Sequence, residues 1–175
     1  KKGLDVLINA FLNLTGRPSF SHWRLLVAGD GETAYVNQLQ EQVAGRNGNK
    51  DSVAFLGWLS GAEKRAVLKH AALLALPSYQ ENFGLCVIEA LANGVPVLVS
   101  PQVNLSEDIK TASAGWVSEV NASDLEACLA QALSDEDERV RRGNAGKEFA
   151  QQFRWSKIAE DLEQLYFTII RPRKP

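Results

Sequence analysis

Glu81 and Glu89 stand eight positions apart in the stretch ENFGLCVIEALANGVPVLVS (residues 81–100), which is otherwise mostly apolar. An unpaired carboxylate in an apolar run is costly or shifts its pKa, so each of these needs solvent, a cation or a ligand. A helix that starts just after Gly84 leaves Glu81 in the preceding loop and Glu89 near the helix middle. Eight helical residues separate them by about 12 Å along the axis. Carboxylates that flank one glycosidic bond lie about 5 to 9.5 Å apart, so the pair does not suit hydrolysis of that kind. It suits gripping two ends of an extended ligand laid across a helix N-terminus, where the macrodipole favours an anion. The bland alternative is a solvated loop acid at Glu81 and one exposed helix position at Glu89. Leu85, Val87, Ile88, Ala90 and Leu91 make most of that helix look buried, which weighs against the second half of it.

Other residues offer less. Gly29-Asp30-Gly31-Glu32-Thr33-Ala34 matches G-x-G-x-x-A after an apolar run, and fits either a tight βα turn or a phosphate-binding loop. A dinucleotide site also needs an acid after the next strand, and Asp51 precedes that strand instead. Ser78 lacks the G-x-S-x-G context of a nucleophile and has no evident His partner. Lys1 and Lys2 read from pattern alone as solvated. The two cysteines, Cys86 and Cys128, and the two histidines, His22 and His70, form no metal-ligand spacing, so no metal is expected. Three N-x-S/T sequons, at Asn13, Asn104 and Asn121, read as helix-end residues. The basic tail at 171–175 reads as a frayed terminus.

The elements that position these residues alternate. Leu4, Leu7, Ile8, Phe11 and Leu14 recur at helical spacing, and Gly16-Arg17-Pro18 ends that helix. The run WRLLVA at 23–28 reads as a buried parallel strand. Helix follows at 33–44 and strand at 53–56. The next helix starts at Ser60, with Glu63 completing a capping box. Strand at 72–76, helix at 85–92 and strand at 95–99 come next, then a short helix at 106–111 and a short strand at 115–117. Helices are expected at 121–133, capped by Asn121 or Ser123, at 136–152 and at 155–170. The last carries Trp155, Ile158, Ala159, Leu162, Leu165, Tyr166 and Ile169 on one stripe. This order implies one α/β domain over 1–175: a Rossmann-like parallel sheet with helices on both faces, and a C-terminal helical extension over about 121–170.

Composition bounds the class. The 175 residues are 45% hydrophobic and 23% charged with a formal net charge of −2, which gives no basic field for nucleic acid. No apolar segment approaches the roughly 20 residues of a membrane-spanning helix. With so few cysteines and no signal segment, a cytoplasmic setting is expected. The chain opens at Lys1-Lys2-Gly3 without an initiator methionine and is expected to be part of a longer protein.

The segment PSYQENFG (77–84) followed by EALANGVPV (89–97) resembles the E-x7-E signature of retaining, GT-B-fold glycosyltransferases of family 4, the glycosyl transferases group 1. Lys2-Gly3-Leu4-Asp5, Val27-Ala28-Gly29-Asp30-Gly31, Val53-Ala54-Phe55-Leu56-Gly57 and Phe153-Arg154-Trp155-Ser156 fall in the family's order. The resemblance implies the C-terminal, donor-binding half of a two-domain enzyme whose substrate is a nucleotide-diphosphate sugar. It implies that Glu89 meets the ribose hydroxyls, and that Glu81, beside Asn82, meets a hydroxyl of the donor sugar. It places the backbone amides of Phe83, Gly84 and Leu85, with Lys2, on the diphosphate. The Leu56-Gly57-Trp58 turn would lie beside the base, and Gly29 to Gly31 near the nucleotide.

The family's glycine pair after the next strand is absent at 100–107, where Glu107 is only a loose match. The family's preceding strand and arginine are absent too. The resemblance puts the acceptor, a glycan, lipid or polysaccharide precursor, and the usual catalytic His in an N-terminal half outside this chain. His22 and His70 are therefore not assigned that role. It implies no cofactor or metal, retention of anomeric configuration, and an isolated half that binds donor without turning it over. It leaves room for peripheral contact with the inner face of a membrane. The alternatives are a non-catalytic nucleotide- or glycan-binding module on the same fold and, less well supported, half of an NAD-type dehydrogenase.

Overall fold

The computed structural model describes residues 1–46 and 50–170; the basic tail at 171–175 lies outside them. Helix α1 (Leu4–Thr15) is followed by β1 (Leu25–Ala28), α2 (Thr33–Ala44), β2 (Val53–Gly57), α3 (Gly61–His70), β3 (Leu74–Leu76), α4 (Leu85–Ala92), β4 (Val97–Val99), α5 (Ser106–Thr111) and β5 (Gly115–Val117). Helices α6 (Ala122–Ser134), α7 (Glu136–Phe149) and α8 (Trp155–Ile170) complete the described chain. This is the expected alternation, an α/β fold with parallel strands.

Every named strand pair is parallel, in two groups. β1 pairs with β2, and β3, β4 and β5 lie side by side in that order. Leu7, Ile8, Phe11 and Leu14 of α1 share one core with Val53, Leu98 and Trp116, against which Leu25, Val27, Phe55 and Ala75 pack. A single hydrophobic layer thus underlies both groups, and among the described residues no strand pairing joins them. Val87, Leu91, Val97, Val99, Ile109 and Leu68 form the second layer.

β4 is buried at all three positions, as a strand covered on both faces should be. β1 corrects the reading of residues 23–28. Its residues alternate between half-buried and exposed, and Leu26 is 48% exposed. Ala54 of β2 is exposed too, so this pair is covered on one face only. A continuous apolar run does not tell how many faces are covered.

Of the C-terminal helices, α6 places Leu125, Leu129, Ala132 and Leu133 in the first core. In α7, a Cβ on Gly143 would lie 2.0 Å from the Gly94 carbonyl oxygen, so α7 approaches the end of α4 closely. Only α8 stands apart: Trp155, Leu162, Leu165, Tyr166, Ile169 and Ile170 are all exposed. The Asn121 side chain caps α6 by accepting from the Asp124 amide at 2.9 Å. The capping box at Ser60 does not form, because Ser60 makes no side-chain cap bond and the Glu63 amide donates to the Ser60 carbonyl instead. The polar helix expected to reach 152 ends at Phe149, and a 3-10 turn continues to Phe153. Among the described residues no helix is long and apolar enough to cross a membrane.

Candidate functional site

The site forms where β3 ends and α4 begins. After Leu76 the chain runs through Pro77, Ser78 and Tyr79, and the Tyr79 amide donates to the Lys1 carbonyl at 2.9 Å. Gly3 makes this seam tight. Its φ is 64°, and a Cβ there would lie 2.2 Å from the Pro77 carbonyl oxygen, a contact no side chain tolerates. Lys2 is thereby delivered to the loop, where its Nζ donates to Glu81 Oε2.

Glu81 is also fixed through its backbone. Its amide donates to the Gln102 carbonyl at 3.2 Å, and its own carbonyl accepts from the Asn104 amide at 3.1 Å. The Lys2 bond holds the Glu81 carboxyl below the usual carboxylate range against the upward push of burial, helped by the Gly84 amide. Asn82 and Phe83 are exposed in the loop, and Phe83 packs edge-on against Phe153 with centroids 5.6 Å apart.

Gly84 starts α4 with φ 70° and no side-chain cap. Among the described residues the amides of Leu85 and Cys86 have no backbone acceptor. An uncapped helix start of this kind presents N–H groups and a partial positive charge to whatever lies before it. Within α4, Val87, Ala90 and Leu91 are the buried residues. Leu85, expected among them, is 70% exposed. It lies four residues before Glu89 on the same outward face, which is why that face escapes the core.

Glu89 is consequently half-exposed and not buried. Its Oε1 accepts from Lys64 Nζ of α3 at 2.6 Å. Lys64 was not singled out from sequence, because α3 carries Arg65 and Lys69 as well. The available signal was periodicity: Lys64, Val67, Leu68 and Ala71 fall at i, i+3, i+4 and i+7, and in the structure the first three are the α3 residues shielded from solvent, with Ala71 just past the helix end. Each glutamate of the pair is thus met by a lysine from a different part of the chain.

The Gly29 to Gly31 turn and the Leu56-Gly57-Trp58 turn meet each other, with the Gly29 amide donating to the Gly57 carbonyl at 2.7 Å. Leu56 is 37% and Trp58 70% exposed. Two side chains tie this pair of turns to the first group. Tyr35, at the start of α2, points its Oη to Asp5 Oδ1 at 3.5 Å and lies within electrostatic reach of Tyr79; burial and Asp5 raise its pKa. Lys64 makes the second tie, from the helix that follows Trp58.

Ser78 is fully buried, and its Oγ has no hydrogen-bond partner among the described residues. Glu107 is exposed in α5, 3.9 Å from Lys110, and does not join the group. Cys86 and Cys128 are free thiols, and burial raises both pKa values, that of Cys128 to about 11.

The Glycosyl transferases group 1 family profile matches residues 1–149. The D-inositol 3-phosphate glycosyltransferase of Corynebacterium aurimucosum is 33% identical over 94% of this chain and 40% of its own length. The C-terminal domain of LpcC, a glycosyl transferase group 1 family protein from Francisella tularensis, superposes with a TM-score of 0.74 at 20% identity, covering 86% of this chain and 78% of that domain. Anabaena HepE, crystallised with UDP and glucose, superposes with a TM-score of 0.77 at 24% identity over 93% of this chain and 45% of that one. The chain spans less than half the length of the curated relatives it matches. With the profile matched over everything before the final 3-10 turn and α8, the chain belongs to the Glycosyl transferases group 1 family, glycosyltransferase family 4.

Proposed function

We propose that this chain is the donor-binding half of a retaining glycosyltransferase that takes a sugar from a nucleotide-diphosphate sugar. The uncapped start of α4, flanked by Lys2–Glu81 and Lys64–Glu89, is the observation that carries the reading. The diphosphate rests on the amides of Phe83, Gly84 and Leu85, and Lys2 turns from Glu81 to a phosphate oxygen. Glu89 accepts hydrogen bonds from the ribose, Glu81 and Asn82 contact the sugar, and Leu56, Gly57 and Trp58 flank the base, with Gly29 and Gly31 beside them.

Cleavage of the anomeric C–O bond leaves its electron pair on the nucleoside diphosphate. Lys2 and the helix N-terminus stabilise that charge where it develops, so the residues present need no metal to do so. The acceptor, a glycan, lipid or polysaccharide precursor, is held by residues outside this chain. The UDP and glucose bound by the structurally similar Anabaena protein support this reading.

Calorimetric titration with UDP-, GDP- and ADP-sugars tests the site. One of them binds the folded wild-type chain, and Glu89→Ala weakens it roughly 10- to 100-fold, the worth of a hydrogen bond to a charged group. Binding unchanged by that substitution removes Glu89 from the site. A parent protein that binds donor but neither hydrolyses nor transfers the sugar would make this a non-catalytic module.

A further inference from the structure

We infer that Lys64 is a positioning residue for nucleoside recognition: it holds the Glu89 carboxylate in the orientation that receives the ribose diol. The inference rests on the nucleotide reading above and adds a residue and a specificity to it.

Lys64 reaches Glu89 because α3 turns the face of Lys64, Val67 and Leu68 inward, and Leu68 is 8% exposed in the core that also holds Val87 and Leu91 of α4. The helix packing therefore sets the lysine one turn from its anchor and opposite the outward face of α4. Among the described residues no other polar side-chain bond joins α3 to α4. Exposed ion pairs contribute little to folding, and both side chains here are over a third exposed, so stability does not account for the pair.

The geometry does suit recognition. A carboxylate oxygen has two lone pairs. Oε1 uses one on Lys64, and the remaining one with both of Oε2 can accept from two vicinal hydroxyls. A free glutamate rotates through several conformers, whereas one pinned at Oε1 presents its second oxygen in a fixed place. The ammonium also cancels a carboxylate charge that would otherwise repel the diphosphate about one turn away. Lys2, by contrast, belongs to the diphosphate end.

The test separates the two ends of the ligand. Calorimetry on the 175-residue chain compares the best binder among UDP, GDP and ADP with its 2′,3′-dideoxy form and with inorganic pyrophosphate. Lys64→Met and Lys64→Gln are each expected to weaken the nucleoside diphosphate about tenfold. They leave pyrophosphate and the dideoxy form within twofold of wild type and scarcely move the melting temperature. Lys64→Arg restores most of the affinity, and Lys64→Met adds nothing to Glu89→Gln in the double variant. An equal loss for pyrophosphate, or no loss for the ribose ligand, overturns the role while leaving the site reading intact. A wild-type chain that binds none of the ligands overturns both.

Discussion

Lys2 and Glu81 are bonded side chain to side chain across 79 positions of sequence, at the mouth of an uncapped helix. The contact gives the partly buried Glu81 carboxylate a cation partner, and it places that cation next to the amides where an anion would dock.

Replacing Lys2 with Met removes the first cause of the depressed Glu81 pKa. Carbon-detected NMR titration should show the Glu81 carboxyl moving up toward its ordinary value of 4.5. Nucleoside diphosphate and pyrophosphate should both bind roughly tenfold or more weakly, since each loses a charge-assisted bond of about 1.5–3 kcal/mol. An unchanged Glu81 titration would mean that the bond does not persist in solution.

Gly3→Ala forces a β-carbon against the Pro77 carbonyl and holds a non-glycine residue at φ 64°. Strain of this kind costs about 1–3 kcal/mol, and a chain of this size loses roughly 2–4 °C of melting temperature per kcal/mol. A fall of several degrees in a thermal melt is expected. No fall would show that the Lys1–Tyr79 seam opens freely.

Glu138 bonds Arg141 and Arg142, and those bonds pull its pKa from 4.5 down to about 2. Arg142 in turn lies over the Trp116 ring at 4.5 Å and donates to the Gly115 carbonyl, so the cluster braces β5. A depressed carboxylate pKa adds stability that is complete above about 4.5 and disappears as pH falls through about 2. Glu138→Gln should therefore flatten the acid limb of a stability-versus-pH curve over that window and leave its shape at neutral pH unchanged. The same steepness in both proteins would rule the cluster out.

Much of the architecture was legible in order and type. Val97-Leu98-Val99 is a short apolar run between a glycine stop and a proline-led turn, and it is the strand buried throughout. The edges were not. Leu26 belongs to an equally apolar run and is half-exposed, because coverage depends on which helices pack back and not on the run itself. Glu89 drew notice for sitting among apolar neighbours, yet Leu85 beside it faces outward and makes the position ordinary for a half-exposed acid. Its lysine was hidden among like charges on α3, and only the inward face shared with Leu68 distinguishes Lys64 from Arg65 and Lys69. Lys2 and Glu81 were each singled out, but their direct contact is tertiary and no local pattern encodes it.

In the proposed donor site the start of α4 receives the diphosphate. A crystal structure of the chain with its best-binding nucleoside diphosphate tests it most directly. Phosphate oxygens are expected on the amides of Gly84 and Leu85, with Lys2 swung from Glu81 to phosphate and the ribose hydroxyls on Glu89, Lys64 still bonded to it. A nucleotide seated at Gly29 to Gly31 alone, with the α4 amides empty and Lys2 still on Glu81, would contradict it.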